Sequence, residues 1–138
     1  MKVLIDTNVI LDVLLSREPY CHASAEVLKL CGARIMGLVA ASQTTDIFYL
    51  LRRSGKDSDS AKEILEKLTD NVKVIDVTAG DVKNALASKM SDYEDALLAY
   101  GARRQKADYI ITRNEKDFKH SEVSAISPAK FLAKYDLV

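Results

Sequence analysis

The sequence predicts an α/β fold: three layers, α/β/α, around a central and mostly parallel five-stranded sheet. Three observations predict it. Apolar runs of four to six residues recur along the chain. Each is followed by a stretch with helical spacing of apolar residues. Strand and helix therefore alternate, and such alternation implies right-handed βαβ units whose sheet is covered on both faces.

The elements follow in order. Lys2 to Ile5 is an apolar run closed by Asp6, a buried strand. Val9, Ile10, Val13 and Leu14 then recur at helical spacing, with Asp6 or Thr7 as N-cap. Pro19 is expected in the first turn of a second helix. That helix turns Ala25, Leu28 and Cys31 or Ala33 inward and ends near Gly32. Ile35 to Val39 is the second strand. A helix from about Ser42 to Arg53 is stopped by Ser54-Gly55. Ser60-Ala61-Lys62-Glu63 has capping-box spacing, inside a polar helix that ends near Asp70-Asn71. Val72 to Val77 is the third strand and Thr78 to Met90 a helix. Ser91-Asp92-Tyr93-Glu94 repeats the capping-box spacing and opens a helix from Asp95 to Lys106. Asp108 to Thr112 is the fourth strand, Asn114 to Phe118 a single turn, and Val123 to Ile126 a short fifth strand. Ser127-Pro128 starts the last helix.

No repeat or linker divides the chain, so residues 1–138 are expected to form one domain. A domain of this length buries roughly two-thirds of its unfolded surface. Lys+Arg and Asp+Glu number 20 each. The net charge of zero argues against binding nucleic acid mainly through a global basic field, but leaves room for a basic rim around an acidic, metal-filled site. No apolar run reaches the roughly 18 residues of a membrane span, and the first residues do not form a signal peptide. The expected compartment is the cytoplasm. Cys21 and Cys31 are the only cysteines. They are expected to be reduced core residues. Cys21-His22 hints at a metal site, but no CxxC or HxxxH spacing completes one.

The chemistry is carried by carboxylates. In open parallel sheets, ligands gather outside the carboxyl ends of the strands, where strand order reverses. Asp6 follows strand one. Asp46 lies one turn into the helix after strand two. Asp92 and Asp95 open the helix leading to strand four, and Arg113, Asn114 and Asp117 follow that strand. Converging carboxylates repel one another unless a cation neutralises them, and a hard divalent cation wants oxygen ligands. Each acid alone has a plainer role: Asp6 as an N-cap, Asp46 as a solvent-facing residue, Asp92 and Glu94 as partners of the helix dipole, Asp117 as part of a surface turn.

Three segments resemble those of a known family. Val3-Leu4-Ile5-Asp6-Thr7-Asn8-Val9-Ile10-Leu11-Asp12 resembles the opening of PIN-domain proteins. Ser91-Asp92-Tyr93-Glu94-Asp95-Ala96-Leu97-Leu98-Ala99 is similar to their third acidic motif, and Ala107-Asp108-Tyr109-Ile110-Ile111-Thr112-Arg113-Asn114-Glu115-Lys116-Asp117-Phe118 to their last. The resemblance implies a Mg²⁺- or Mn²⁺-dependent endoribonuclease, the VapC-like toxin of a toxin–antitoxin pair. RNA would be the substrate, a cognate antitoxin the partner, and a homodimer the assembly. The helices Cys21 to Leu30 and Ser42 to Leu51 are candidate dimer surfaces. Asp6 and Asp95 match the best-supported metal ligands. Asp46 occupies the place of an acid that is Glu in many members. The fourth acid is Asp117 or the position of Asn114, with Asp117 favoured. Thr7 and Asn8 could bond the Asp6 carboxylate or its backbone and fix its aim, and Thr112 could do the same or position the attacking water. Arg52, Arg53, Lys56, Arg113, Lys116 and Lys119 could meet RNA phosphates. Two rivals stand beside this reading. One is a PIN fold that binds RNA or protein without cutting. The other is an aspartyl-phosphate phosphohydrolase, disfavoured because Asn8 stands where its second Asp is needed.

Overall fold

The computed structural model describes residues 1–136. Its strands are β1 (Lys2–Ile5), β2 (Met36–Ala40), β3 (Val72–Ile75), β4 (Tyr109–Ile111) and β5 (Ala125–Ile126). They form one sheet in the order β3-β2-β1-β4-β5, parallel throughout. The helices are α1 (Thr7–Leu14), α2 (Cys21–Leu30), α3 (Ala41–Arg53), α4 (Ser58–Asn71), α5 (Ala79–Ala87), α6 (Tyr93–Arg104) and α7 (Pro128–Asp136), with a 3₁₀ turn at Glu115–Phe118.

Strand alternation creates two cores. Val3, Ile5, Val39 and Ile111 face one side, where α1, α2, α3, α4 and α7 add Val9, Val27, Ile47, Ala61 and Phe131. Leu4, Leu38 and Ile110 face the other, where α5 and α6 add Ala85, Ala96 and Leu98. The predicted three-layer α/β/α arrangement is the one observed. No helix among the described residues is long and apolar enough to cross a membrane.

Several boundaries move for identifiable reasons. β3 ends at Ile75 rather than Val77, because its neighbour β2 ends at Ala40, the partner of Ile75. β5 keeps two residues because β4 offers only Ile110 and Ile111 for pairing. α2 starts at Cys21, after Pro19; the Cys21 N–H already bonds the Arg17 carbonyl at 2.8 Å. Neither predicted capping box caps its helix. Asp57 caps α4 by accepting from the Ser60 N–H at 2.8 Å, and Asp92 caps α6 by accepting from the Asp95 N–H at 2.9 Å. In both cases the cap is an aspartate three residues before the N–H it satisfies. The box that does form joins Thr78 and Asp81 at the start of α5.

The two cysteines differ. Cys31 is buried, and burial pushes its thiol up to about 11. It packs where β2 crosses: a Cβ on Gly37 would lie 2.6 Å from its Sγ, so only glycine fits there. Cys21, expected in the core, is only half-buried at the outer end of α2. The side chains turned inward from that helix are Ser24 and Val27, with Ala25 and Leu28 half-buried; Ala33 is exposed beyond its end.

Candidate active site

Strand order reverses at β1. The chain lays β2 and β3 to one side of it and β4 and β5 to the other. Asp6 leaves the carboxyl end of β1 at this switch point, its N–H bonded to the Ile111 carbonyl of β4 at 2.9 Å. It also caps α1, so its backbone is held by sheet and helix together. One carboxylate oxygen accepts from the Thr7 N–H at 2.7 Å. The other accepts from the Thr112 hydroxyl at 2.7 Å, and that hydroxyl in turn accepts from the Asn114 N–H at 3.0 Å. Burial pushes the Asp6 carboxyl up, and these two bonds pull against it without reversing the shift.

Asp6 opens onto a cleft of about 540 Å³ whose lining includes Asp46, Glu94, Asp95, Tyr49 and Tyr93. Asp95 stands at the start of α6. Burial, followed by the charges of Asp6, Asp92, Asp117 and Glu94, pushes its carboxyl up to about 7. Glu94 is raised by desolvation and then by a hydrogen bond and repulsion from Asp46. Asp117, exposed on the 3₁₀ turn, is close enough for its charge to raise both Asp6 and Asp95.

The donors are all hard oxygens, which suits Mg²⁺ or Mn²⁺. Among the described residues, no three of these acids bring their oxygens within 4.8 Å of one another. That spacing suits an ion held directly by one or two carboxylates and reached by the others through water, the habit of Mg²⁺.

A family profile described as PIN domain matches residues 2–116. The chain belongs to the PIN domain family. A comparison with curated proteins finds no match. Solved structures share this PIN fold at low identity. A chain of VapBC2 from Rickettsia felis, bound to a promoter DNA fragment, superposes with a TM-score of 0.70 at 15% identity, covering 92% of this chain and 98% of that one. A chain of VapBC-1 from nontypeable Haemophilus influenzae gives 0.70 at 16%, covering 94% and 100%. VapC20 from Mycobacterium tuberculosis, described as a toxin cleaving the sarcin–ricin loop, gives 0.68 at 14%, covering 88% and 98%.

The PIN residues singled out from sequence divide into two groups. Asp6, Thr7, Asp46 and Asp95 line the cleft, Thr112 stands behind Asp6, and Asp117 borders the group. Asn114 is exposed and reaches the site only through its backbone N–H. Asn8 does not bond Asp6; its Oδ1 is buried with no partner. Arg113 is committed elsewhere. Its Nε and Nη2 reach the fully buried Asp12 carboxylate at 2.6 and 3.2 Å, and its guanidinium lies 4.0 Å from the Tyr20 ring centroid. Arg17 is the second cation near Asp12, at 3.8 Å. Lys116 and Lys119 stay exposed beside Asp117, and Arg53 packs over the Tyr49 ring.

Four contributors escape sequence reasoning. Gln43 is 2% exposed and ties three segments together. Its Nε2 donates to the Ile5 carbonyl at 2.8 Å and the Thr7 hydroxyl at 3.1 Å, and its Oε1 accepts from the Ala40 N–H at 2.8 Å. It thus joins the ends of β1 and β2 behind Asp6. Its only signal is a Gln three residues after a strand end, in place of a side-chain cap. Glu94 is explained away by the capping-box spacing. Tyr49 and Tyr93 look like ordinary helix residues, and only the folded chain places their exposed rings on the cleft.

Proposed function

We propose that this PIN domain is a Mg²⁺- or Mn²⁺-dependent endoribonuclease, the toxin of a toxin–antitoxin pair. One observation carries the reading: Asp6, Asp46, Glu94 and Asp95, drawn from three separate segments, line one cleft at the switch point of the sheet. A metal bound there would neutralise the scissile phosphate and lower the pKa of its bound water. Asp6 and Asp95 are assigned as its direct ligands, with Asp46 and Asp117 orienting it or its waters. Thr112 and the Thr7 N–H hold the Asp6 carboxylate in one orientation before the metal arrives, which lowers the reorganisation left to the reaction. The exposed Tyr49 and Tyr93 rings offer stacking faces to unpaired bases, and Lys116 and Lys119 offer charge to phosphates.

Among the similar solved structures, one is described as a toxin–antitoxin complex and VapC20 as a toxin, which supports an antitoxin partner here. A basic side chain from such a partner would find the carboxylate cluster a ready counter-charge. A homodimer working in the cytoplasm belongs to the same reading; the two unpaired thiols suit a reducing compartment.

The test is cleavage of a structured RNA in Mn²⁺ and again in EDTA, with Asp95→Asn beside the unaltered protein. Cleavage that needs the metal and is lost in the variant supports the proposal. Cleavage that persists in EDTA overturns the metal mechanism. RNA binding without cleavage in any metal leaves the binding module in its place.

A further inference from the structure

We propose that Glu18, Cys21 and His22 form a second metal site, built for a borderline-soft divalent cation such as Zn²⁺ and separate in chemistry from the carboxylate cleft. The three residues offer one oxygen, one sulfur and one nitrogen ligand, and these atoms lie within 4.8 Å of one another. His22 Nε2 already sits 2.9 Å from a Glu18 carboxylate oxygen. Tetrahedral zinc is held by this mixture of donors, with metal–ligand bonds of roughly 2.0–2.3 Å, so its ligand atoms stand about 3–4 Å apart. Small rotations of two exposed side chains close the remaining gap.

The sequence hint at Cys21-His22 stopped for want of a further cysteine or histidine at metal spacing. The fold supplies the third ligand from the other direction. Glu18 lies in the turn before α2, and that turn folds back so that Glu18 stands over the first turn of the helix, beside the residues three and four positions on.

Two features of the surroundings favour an ion. α2 starts without a side-chain cap and with no acid in its first turn, so a metal clip would tie that turn to the preceding one where no side chain of the helix does. A cation at a helix N-terminus meets the positive end of the dipole. Here the Glu18 carboxylate and the Cys21 thiolate together cancel a divalent charge; the thiol gives its proton to solvent as the metal–sulfur bond forms. The outer side opens onto a surface hollow of about 470 Å³, lined also by Val13, Ser16 and Glu26, so water has room at the fourth position. The hard oxygens of the cleft and the sulfur and nitrogen here sort two kinds of cation between two sites on one chain.

Co²⁺ tests the site directly, because thiolate ligation gives an intense near-ultraviolet charge-transfer band that oxygen ligation does not. Untagged, full-length, reduced protein is titrated with Co²⁺ and then with Zn²⁺ against a chromophoric chelator. The band is expected at one equivalent, displaced by Zn²⁺. It should vanish in Cys21→Ser and survive in Cys31→Ser and Asp6→Asn. His22→Ala and Glu18→Gln should each weaken Zn²⁺ at least about tenfold. All of these side chains except those of Asp6 and Cys31 are at the surface, and far-ultraviolet circular dichroism verifies each fold. Absence of the band, its retention in Cys21→Ser, or Zn²⁺ binding abolished by Asp6→Asn alone overturns the proposal.

Discussion

Asp95→Asn separates activity from stability, because the property that makes Asp95 useful to a metal makes it a burden without one. In the metal-free protein its carboxyl is pushed from an ordinary 3.8 to about 7 by burial and by the charges of Asp6, Asp92, Asp117 and Glu94. The folded state therefore holds a proton that the unfolded state has lost. Stability is highest below the unfolded value, falls as pH rises through the window from about 4 to 7, and stays low above it. At about 1.4 kcal/mol per pH unit the full difference is a little over 4 kcal/mol. Asp95 remains partly open to water, which screens its neighbours, and about 1–2 kcal/mol is the realistic share. Asparagine has nearly the same shape and no charge. In EDTA at pH 8 the variant should melt higher, by about 4 °C for each kcal/mol. Its advantage should shrink as pH falls toward 5. Added Mn²⁺ should raise the midpoint of the unaltered protein and do less for the variant, since only the native site binds the ion. Cleavage by the variant should fall by about a hundredfold or more. The assay is a thermal melt across pH, with and without Mn²⁺. A variant that melts at or below the unaltered protein in EDTA at pH 8 would refute the electrostatic argument for the cluster.

Three further outcomes follow from the same contacts. Gln43→Leu strands the Ile5 carbonyl and the Ala40 N–H in the core, so urea denaturation should show a loss of about 2–3 kcal/mol, and cleavage per folded molecule should drop as Asp6 loses its backing. Arg113→Ala leaves Asp12 buried with only Arg17 nearby, and stability should fall by about 3 kcal/mol; reduced RNA affinity at unchanged stability would instead make Arg113 a phosphate contact. Tyr49→Ala should raise KM for single-stranded RNA by about tenfold, matching the 1–3 kcal/mol of a base stack, and leave kcat nearly unchanged, whereas Tyr49→Phe keeps the ring and should behave like the unaltered protein.

What could be read from sequence was what local pattern encodes. β1 and β2 were legible as apolar runs, because strands buried on both faces need nothing else. Asp6 and Asp95 were legible as acids at the end of a strand and the start of a helix, and because crossover helices run opposite to the strands of a parallel sheet, those ends lie at one edge. Less legible were groups whose meaning depends on a distant partner. Asp12 looks like a surface acid on α1, yet it is fully buried because Arg113, 101 residues away, neutralises it. Gln43 has a polar side chain in a helical stretch, which normally signals solvent; its three bonds are to backbone and hydroxyl groups of segments it meets only in the folded state. Cys21 illustrates the opposite error. Its type suggests burial, but the helix begins two residues beyond Pro19, and its first turn lies at the rim.

The bond from Thr112 to Asp6 spans 106 positions. It has a consequence for the moment of synthesis. A ribosome delivers Asp6 about a hundred residues before Thr112. Until then β1 lacks its β4 neighbour, the Asp6 carboxylate lacks one of its two donors, and Asp95 has no assembled cleft to complete. In a growing chain the candidate site is therefore still incomplete. If the domain does cut RNA, the cell that makes it is shielded until the last of these segments has been made.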